Sequence, residues 1–377
     1  MLITSMYLDA FHYEIINYLL AQIPTGIQYE RLLYDNIKHI KKLKIQSPNC
    51  ILLNFDILEH NEFDHTVQTI TAFSQNFLQI VDTNPDTKFV LICQIENVQK
   101  ELTHARIDIV RSGSGLCRED AAYKALLPEL KKNLDSKKTF MCLNRNPRQY
   151  RINLVSYLLA LNLDQHGTIS FHKKNAQSST WLERVSWNLT DNQIQHIRPL
   201  LEQGYNKLKN STLENSLHEV DKIYGEKIDN AKNFDLHLRS MYQDHFVEIV
   251  TETQFNVPFY GASEKFKNSV YGCVFPILIG GTGLVRFLRN LGFDMFDDVI
   301  DHSYDSIVDP LDRLCAAVDL NRKLLSEDGL AKTLWIKNQH RFLHNVEFIK
   351  TTLFDKIQHR AQEDFGKVRW NTGNPIA

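Results

Sequence analysis

The 377-residue sequence contains no apolar run of the roughly 18 residues that a membrane-spanning helix needs. Its opening residues also lack the basic segment and long apolar core of a secretory signal, so neither export nor membrane anchoring is expected. The six cysteines are scattered and form no C-x-x-C pair, which predicts reduced thiols in a cytoplasmic protein. The net charge of -2 excludes a general attraction to polyanions.

Motifs of several phosphate-handling and metal-binding classes are absent as well. No G-x-x-x-x-G-K-[ST] string and no kinase motif set occurs, which counts against a nucleotidyl or phosphoryl transferase. One region is rich in acids, but their spacing fits no EF-hand loop, and no D-x-D motif follows a strand. These acids are Asp294, Asp297, Asp298, Asp301 and Asp305. We therefore expect no bound metal and no cofactor.

The N-terminal half alternates short apolar runs with amphipathic stretches. Strand candidates lie at 1–8, 50–55 and 88–95, and the segments 11–23 and 66–81 have the apolar spacing of helices. Strands that alternate with helices are typical of a parallel sheet covered by helices. The sequence therefore predicts an α/β fold in this half.

A second α/β unit follows a charged stretch at 131–138, a candidate linker. Strands are predicted at 139–144, 246–253 and 274–281, with helices at 149–162 and 263–272. The region from about 166 to 240 shows no clear strand pattern, and the residues beyond about 310 are predicted to be helical. Because one core rarely grows past about 250–300 residues, two domains are expected. Their predicted ranges are 1–135 and 136–325, followed by C-terminal helices at 326–377.

Two groups of polar residues follow predicted strands of the second unit. Arg145 and Arg148 come after the strand at 139–144, and the triplet Ser263-Glu264-Lys265 opens the helix after the next strand. Ligands of parallel sheets bind beyond the carboxyl ends of the strands, where helix N-termini favour anions. A solvated basic turn and a plain N-cap remain the alternative interpretations of these two groups.

The string S-E-K-F-x-N-S-x-x-G-x-x-x-P-I-L-x-G, which begins at Ser263, resembles the donor-site signature of α1,3-fucosyltransferases and related GT-B glycosyltransferases. The resemblance implies a GT-B fold, in which two Rossmann-like domains face a central cleft, with additional C-terminal helices. It implies that Glu264 and Lys265 hold a nucleotide sugar, and that Arg145 or Arg148 contacts its diphosphate.

A wider pattern combines LNRNPRQYR, VTET, SEK and LRNLGFDMFDDVIDHSYDSIVDPLDR. It resembles glycosyltransferases of bacteriophages, large viruses and marine bacteria and covers residues 139 to about 323. The chain departs from the fucosyltransferase pattern after Gly281, which leaves the sugar open. A glycine-rich turn at 280–283 offers further backbone N–H groups for an anion. The predicted donor-binding residues are Arg145, Arg148, Thr251, Glu252, Ser263, Glu264, Lys265, Asn268, Gly281 and Thr282.

Sugar transfer with inversion needs a general base near the acceptor hydroxyl, at a strand end of the N-terminal domain. Asp9 and Asp56 are the catalytic candidates, and Glu96 and His12 satisfy the same condition. The densest basic group of this domain is the candidate acceptor surface, although such a run is more often a solvated helix face. It consists of Lys38, Lys41, Lys42 and Lys44.

The sequence therefore predicts a hexosyl- or pentosyltransferase that uses a UDP- or GDP-sugar, without a metal, and acts on a hydroxyl acceptor. A hydroxymethylated base of phage DNA and a glycan or small molecule are the two acceptor classes. The base would have to be reached in the groove or flipped out of the duplex. The alternative is a non-catalytic nucleotide-binding protein.

Overall fold

The computed structural model describes the backbone of 29–33 and 50–54, and several longer parts of the chain. These parts are residues 75, 77–92, 102, 104–110, 120–144, 148–171, 189–210, 234–252, 255 and 262–368.

Two four-stranded sheets, each wholly parallel, form the centre of the described structure. The first sheet has the order β1-β2-β3-β4 and contains β1 Tyr29–Leu33, β2 Cys50–Asn54, β3 Lys88–Ile92 and β4 Ile107–Val110. The second has the order β6-β5-β7-β8 and contains β5 Phe140–Asn144, β6 Gly167–Phe171, β7 Val247–Thr251 and β8 Phe275–Ile279. The predicted α/β class with parallel sheets is confirmed.

Helices account for most of the other described residues. Those that precede residue 300 are α1 Asp120–Lys124, α2 Gln149–Ala160, α3 Asp191–His196, α4 Arg198–Asn210, α5 Arg239–Asp244, α6 Glu264–Tyr271 and α7 Leu284–Leu291. Those that follow are α8 Pro310–Leu320, α9 Arg322–Ser326, α10 Leu330–Lys337, α11 Gln339–Thr351 and α12 Leu353–Gly366. The predicted helical character beyond residue 310 is confirmed.

The strands of the second sheet are mostly apolar and buried because both faces are covered. Every residue of β7 and β8 is buried, as expected for parallel strands with packing on each side. Pro276 lies in β8, which is the last strand in the order of the described sheet. A strand at that position has one unpaired side, which tolerates a residue without an N–H group.

The order of the second sheet creates a crevice at one edge. The chain passes from β5 to β6 on one side and then crosses to β7 on the other side of β5. The connections that leave β5 and β7 therefore diverge at the carboxyl ends of these strands. Parallel sheets bind ligands at such a switch point, which gives this edge its functional interest.

The terminal helices reach back to the first sheet. Helix α12 contacts β4, and Val90 and Val110 belong to the same apolar cluster as Ile357 and Phe365. Burial of these side chains ties the last helix to a sheet formed more than 200 residues earlier in the chain.

Some elements differ from the sequence predictions. The strand β6 lies at Gly167–Phe171, inside the region where no strand was predicted. Its first residue is a glycine because a Cβ there would lie 2.5 Å from the ring of Phe140, and glycine weakens a strand signal. Strands β1 and β4 were also not predicted, and the strand predicted at 1–8 lies outside the described residues.

The charged stretch at 131–138 is not a freely solvated linker. The Lys132 ammonium donates to the carbonyls of Gly272 at 2.7 Å and His245 at 3.2 Å, and to that of Tyr242. Two of these carbonyls lie just before β7 and β8. The stretch is therefore docked on the amino-terminal edge of the second sheet by the Lys132 side chain, whose pKa is lowered to about 7 by burial.

Helices α2 and α4 pack so closely that position 204 requires glycine. A Cβ on Gly204 would lie 1.7 Å from the Ser156 carbonyl oxygen.

We expect Gly204→Ala to lower the free energy of unfolding by about 3 kcal/mol, because the backbones must separate. Urea denaturation measures the change. The control is Gly366→Ala, since a Cβ there meets nothing within 4 Å. If the two variants unfold at the same urea concentration, the close contact between α2 and α4 is wrong.

Candidate functional site

The floor of the crevice consists of the last residues of β5 and β7, which are hydrogen-bonded to each other. The Thr251 hydroxyl donates to Asn144 Oδ1 at 3.0 Å, and the Asn144 backbone N–H donates to Ser170 Oγ at 3.1 Å on β6. Thr251 and Asn144 are both buried. Three neighbouring strand ends are therefore joined by side chains, which makes this edge rigid.

Glu252 follows β7 and connects three other elements. Its backbone N–H donates to Ile279 O at 2.9 Å on β8, and its carbonyl accepts from the Tyr150 hydroxyl at 2.8 Å on α2. Its carboxylate accepts the Ser263 backbone N–H with both oxygens, each at 3.1 Å. The residue is only 3% exposed. Burial raises the pKa of Glu252, although the nearby Lys265 ammonium opposes that shift.

Ser263, Glu264 and Lys265 form the first turn of α6 at the same edge. Ser263 is the N-cap, and its hydroxyl accepts the Lys265 backbone N–H at 3.3 Å, so the capping interpretation is correct for this side chain. The Lys265 ammonium donates to a Glu264 carboxylate oxygen at 2.8 Å. Both charged side chains are about a quarter exposed, at 27% for Lys265 and 26% for Glu264. Together they form an ion pair that solvent reaches.

The charge of Lys265 is maintained by its acidic neighbours. Burial lowers the pKa of this ammonium, but Glu264 and Glu252 outweigh that effect and hold the pKa above its usual range. Lys265 is therefore a cation at neutral pH. It lies at the N-terminus of a helix, where backbone N–H groups also favour an anion.

The buried arginine of this edge is Arg151, one turn into α2. It is 4% exposed, and its Nη2 donates to Thr251 O at 3.4 Å. Its charge is close enough to affect the pKa of Lys265. The resemblance to the fucosyltransferase signature implied that Arg145 or Arg148, and not Arg151, contacts the diphosphate. Arg148 lies at the N-cap of α2, and Arg145 lies outside the described residues.

Asn268 is buried in α6, and its side chain is hydrogen-bonded. Its Oδ1 accepts the Tyr123 hydroxyl at 2.6 Å, and it is 6% exposed. The structure therefore places this predicted donor-binding residue in a contact between α6 and the segment before β5.

The glycine-rich turn after β8 already holds an anion from the protein itself. The Asp305 carboxylate accepts the backbone N–H groups of Val285 at 3.1 Å and Arg286 at 3.0 Å, in the first turn of α7. Its carbonyl accepts the N–H of Gly283 at 2.9 Å, where a φ of 82° requires glycine. Of the turn at 280–283, whose N–H groups were expected to be available to an anion, the Gly283 N–H is thus satisfied internally.

Arg313 is a fully buried side chain that joins three segments around the crevice, and it is 1% exposed. Its guanidinium donates to Gly280 O at 3.0 Å, Thr282 Oγ1 at 3.0 Å, Ile307 O at 2.6 Å, Val308 O at 3.1 Å and Phe255 O at 2.6 Å. Burial lowers the pKa of Arg313 to about 10, so it stays charged at neutral pH.

Neither the Gly281-Thr282 turn nor Phe255 is positioned independently of this arginine. Thr282, predicted to bind the donor, uses its hydroxyl to accept from Arg313, and Gly281 is buried beside it. Phe255 stacks on Tyr150 with ring centroids 4.5 Å apart. Arg313 was not identified from the sequence, because nothing in its helical context marks it as buried.

The acidic region from 294 to 305 is engaged in ion pairs, helix capping and turn hydrogen bonds. Arg341 binds Asp294 through two nitrogens at 2.6 and 2.7 Å, and also binds Asp298 at 2.7 Å. Arg289 pairs with Asp297, and Asp301 accepts the Ser303 N–H at 2.9 Å. Within the described residues, no group of three or more His, Cys, Asp or Glu side chains is placed to hold a metal ion.

The remaining predicted site residues lie outside the described part of the chain. They are the base candidates Asp9, His12, Asp56 and Glu96, and the basic group Lys38, Lys41, Lys42 and Lys44. No described helix is both long and apolar enough to cross a membrane.

Comparison with known proteins gives only a weak likeness in structure. No protein-family model and no curated protein matches the chain. A solved structure of trehalose-6-phosphate synthase, OtsA, aligns with 95% of this chain and 76% of its own length, with 14% identity and a TM-score of 0.41. A likeness this weak does not indicate a function, which is therefore inferred from the residues of this chain.

Replacement of Arg313 tests its part in holding the crevice together. We expect Arg313→Met to lower the free energy of unfolding by about 3 kcal/mol or more, because buried carbonyls lose their donor. Arg313→Lys should restore part of this loss, since an ammonium cannot reach all five acceptors.

Urea denaturation gives the measurement, with Arg198→Met as the matched control. Arg198 is half exposed and, among the residues that the structure describes, forms an ion pair with Glu202 on its own helix, a contact worth about 0.5 kcal/mol or less. Equal losses in the two methionine variants would contradict the structural role of Arg313.

Proposed function

We propose that this chain is a GT-B glycosyltransferase that moves a sugar from a UDP- or GDP-sugar to a hydroxyl acceptor without a metal ion. The observation that carries the proposal is the cluster of charged groups at the carboxyl edge of the second sheet. Lys265 lies at the N-terminus of α6, Arg151 is close to it, and Glu264 forms an ion pair with Lys265. This is the set of groups that a nucleoside diphosphate requires.

The reaction follows from the charge that develops when the bond to the sugar breaks. The departing diphosphate gains negative charge, and cations fixed in a partly dry crevice stabilise it more in the transition state than in the ground state. Lys265 and Arg151 are the cations of this edge that would do so. In this proposal Glu264 accepts the two hydroxyls of the ribose and so orients the nucleotide.

The topology supports the same location. The switch point of the second sheet lies between β5 and β7, and the last residues of these strands form the crevice floor. Two parallel sheets and a terminal helix that packs on the first sheet are compatible with two Rossmann-like units. An acceptor on the first unit would then meet the donor on the second.

The proposal predicts release of nucleoside diphosphate from a panel of UDP- and GDP-sugars, with the same rate in excess EDTA. Glu264→Ala and Lys265→Ala should each weaken binding of the nucleotide sugar by roughly tenfold or more, because each removes a charged contact worth about 1.5–3 kcal/mol. Calorimetric titration measures the affinity, and an enzyme-coupled assay measures the release.

The matched control is Lys323→Ala, which removes a lysine whose side chain is 76% exposed and far from this edge in sequence. It should bind as the wild type does. Unchanged affinity in both site variants would remove the donor assignment. Binding without release, even with acceptors supplied, would indicate the non-catalytic alternative.

The acceptor class and the base remain predictions from the sequence. We propose a hydroxyl acceptor held by the N-terminal unit, with Asp9 or Asp56 as the base, and either modified DNA or a glycan as the acceptor. If the acceptor is duplex DNA, its affinity should fall steeply as salt rises, because lysines that bind phosphates release counterions. A small sugar acceptor should show almost no such dependence.

Transfer to DNA with and without hydroxymethylated cytosine, measured over a range of salt, separates the two classes. Replacement of Lys38, Lys41, Lys42 and Lys44 by Glu should abolish DNA binding while donor hydrolysis persists. Salt-insensitive transfer, or an unaffected quadruple variant, would favour the glycan class.

A further inference from the structure

Glu252 is the most enclosed acid of the crevice, and charged groups surround it on every packed element. Helix α6 contributes Glu264 and Lys265, helix α2 contributes Arg151, and Glu248 lies on the same face of β7. The side chains of Glu252 and Glu248 are both buried in the described structure. No bulk water is therefore available to spread the charge of Glu252.

The crevice without a ligand is close to electrically neutral at its mouth. The negative charges of Glu252 and Glu264 lie close to the positive charge of Lys265, and Arg151 is also close to Lys265. The diphosphate of a nucleotide sugar carries two further negative charges into this space. One added charge near a buried carboxylate disfavours its ionised form, so the cluster must either gain a cation or take up a proton.

Among the acids of this edge, Glu252 is the one whose ionised form is destabilised most when a diphosphate binds. Glu264 is 26% exposed, so water reaches its carboxylate, and it contacts the Lys265 ammonium directly at 2.8 Å. Glu248 lies deeper, where it accepts the hydroxyls of Tyr242 and Ser269. The Glu252 carboxylate accepts the Ser263 backbone N–H with both oxygens, and the Ser263 side chain also hydrogen-bonds to it. Each carboxylate oxygen has two lone pairs, so a proton can be added while the contact to the Ser263 N–H is kept.

We propose that Glu252 is a positioning residue that takes up one proton from solvent when the diphosphate of a nucleotide sugar binds. The inference rests on the proposed function, because it assumes that the ligand is a diphosphate. The neutral acid keeps its contact to Ser263 N–H and so holds the first turn of α6 in place. Lys265 then loses one of its two acidic neighbours and turns its charge toward the ligand.

Burial already raises the pKa of Glu252 and raises that of Glu248 to about 7. The direction of the effect follows from linkage. The complex binds more protons than the free protein, so affinity for the nucleotide sugar rises as pH falls toward the pKa of the free state. When uptake is complete, affinity changes about tenfold for each pH unit.

Calorimetry of the full chain with UDP-glucose and GDP-mannose at pH 7.0 measures this uptake. The observed heat is compared in PIPES and Tris, whose ionisation enthalpies differ, and the slope equals the number of protons exchanged. Nucleotide sugars are the correct probes because both phosphates are already fully ionised, whereas a free diphosphate titrates near neutrality.

The wild type should show net uptake that approaches one proton. Glu252→Gln should reduce the uptake to near zero and flatten the pH dependence of affinity between pH 6 and 8. The amide can still accept the Ser263 N–H, so binding itself should persist. The matched variant is Glu248→Gln, which removes the neighbouring buried acid and should leave the uptake in place.

The outcomes separate the two proposals. Absence of heat with every nucleotide sugar overturns the proposed function, and this inference with it. Binding without buffer dependence in the wild type overturns the inference alone, as does uptake that persists in Glu252→Gln or vanishes in Glu248→Gln. The wild-type measurement decides even if a variant fails to fold.

Discussion

The crevice depends on the hydrogen bonds of Glu252, the residue that follows β7. Glu252 uses its N–H, its carbonyl and its carboxylate to bind β8, α2 and α6 respectively. Each of these groups would otherwise be a buried polar group without a partner, which costs free energy in a dry interior. The requirement to satisfy one buried residue therefore sets the relative positions of the elements that bear Ile279, Tyr150 and Ser263.

Internal charges hold the loops around this point. Arg313 donates to backbone carbonyls and a hydroxyl of three segments, and Asp305 caps α7 in place of an external anion. Both interactions use a full charge where the backbone offers only partial charges, and such hydrogen bonds are stronger than neutral ones. The turn after β8 is consequently closed by the protein's own side chains. The N-terminus of α6 is therefore the better candidate for binding an external anion.

That N-terminus is the place where charge stays accessible. Lys265 and Glu264 are partly exposed, whereas Arg151 and Glu252 beneath them are buried. A partly dry cluster of fixed charges suits the stabilisation of a leaving diphosphate without a metal. It also makes the protonation of one buried acid part of ligand binding, since four charges at close range cannot change independently.

The sequence alone determined the parts of the fold that depend on local pattern. Continuous apolar runs predicted β2, β3, β5, β7 and β8, and Ser263 before an acid predicted the cap of α6. The strand β6 was not predicted because it begins with a glycine. The Phe140 ring requires this glycine, through a contact between residues distant in sequence. The burial of Arg151 and the hydrogen bonds of Asp305 and Arg313 have no signal in the sequence. Only the tertiary structure decided their roles, because burial and the choice of hydrogen-bond partners arise when segments far apart in the chain are packed together.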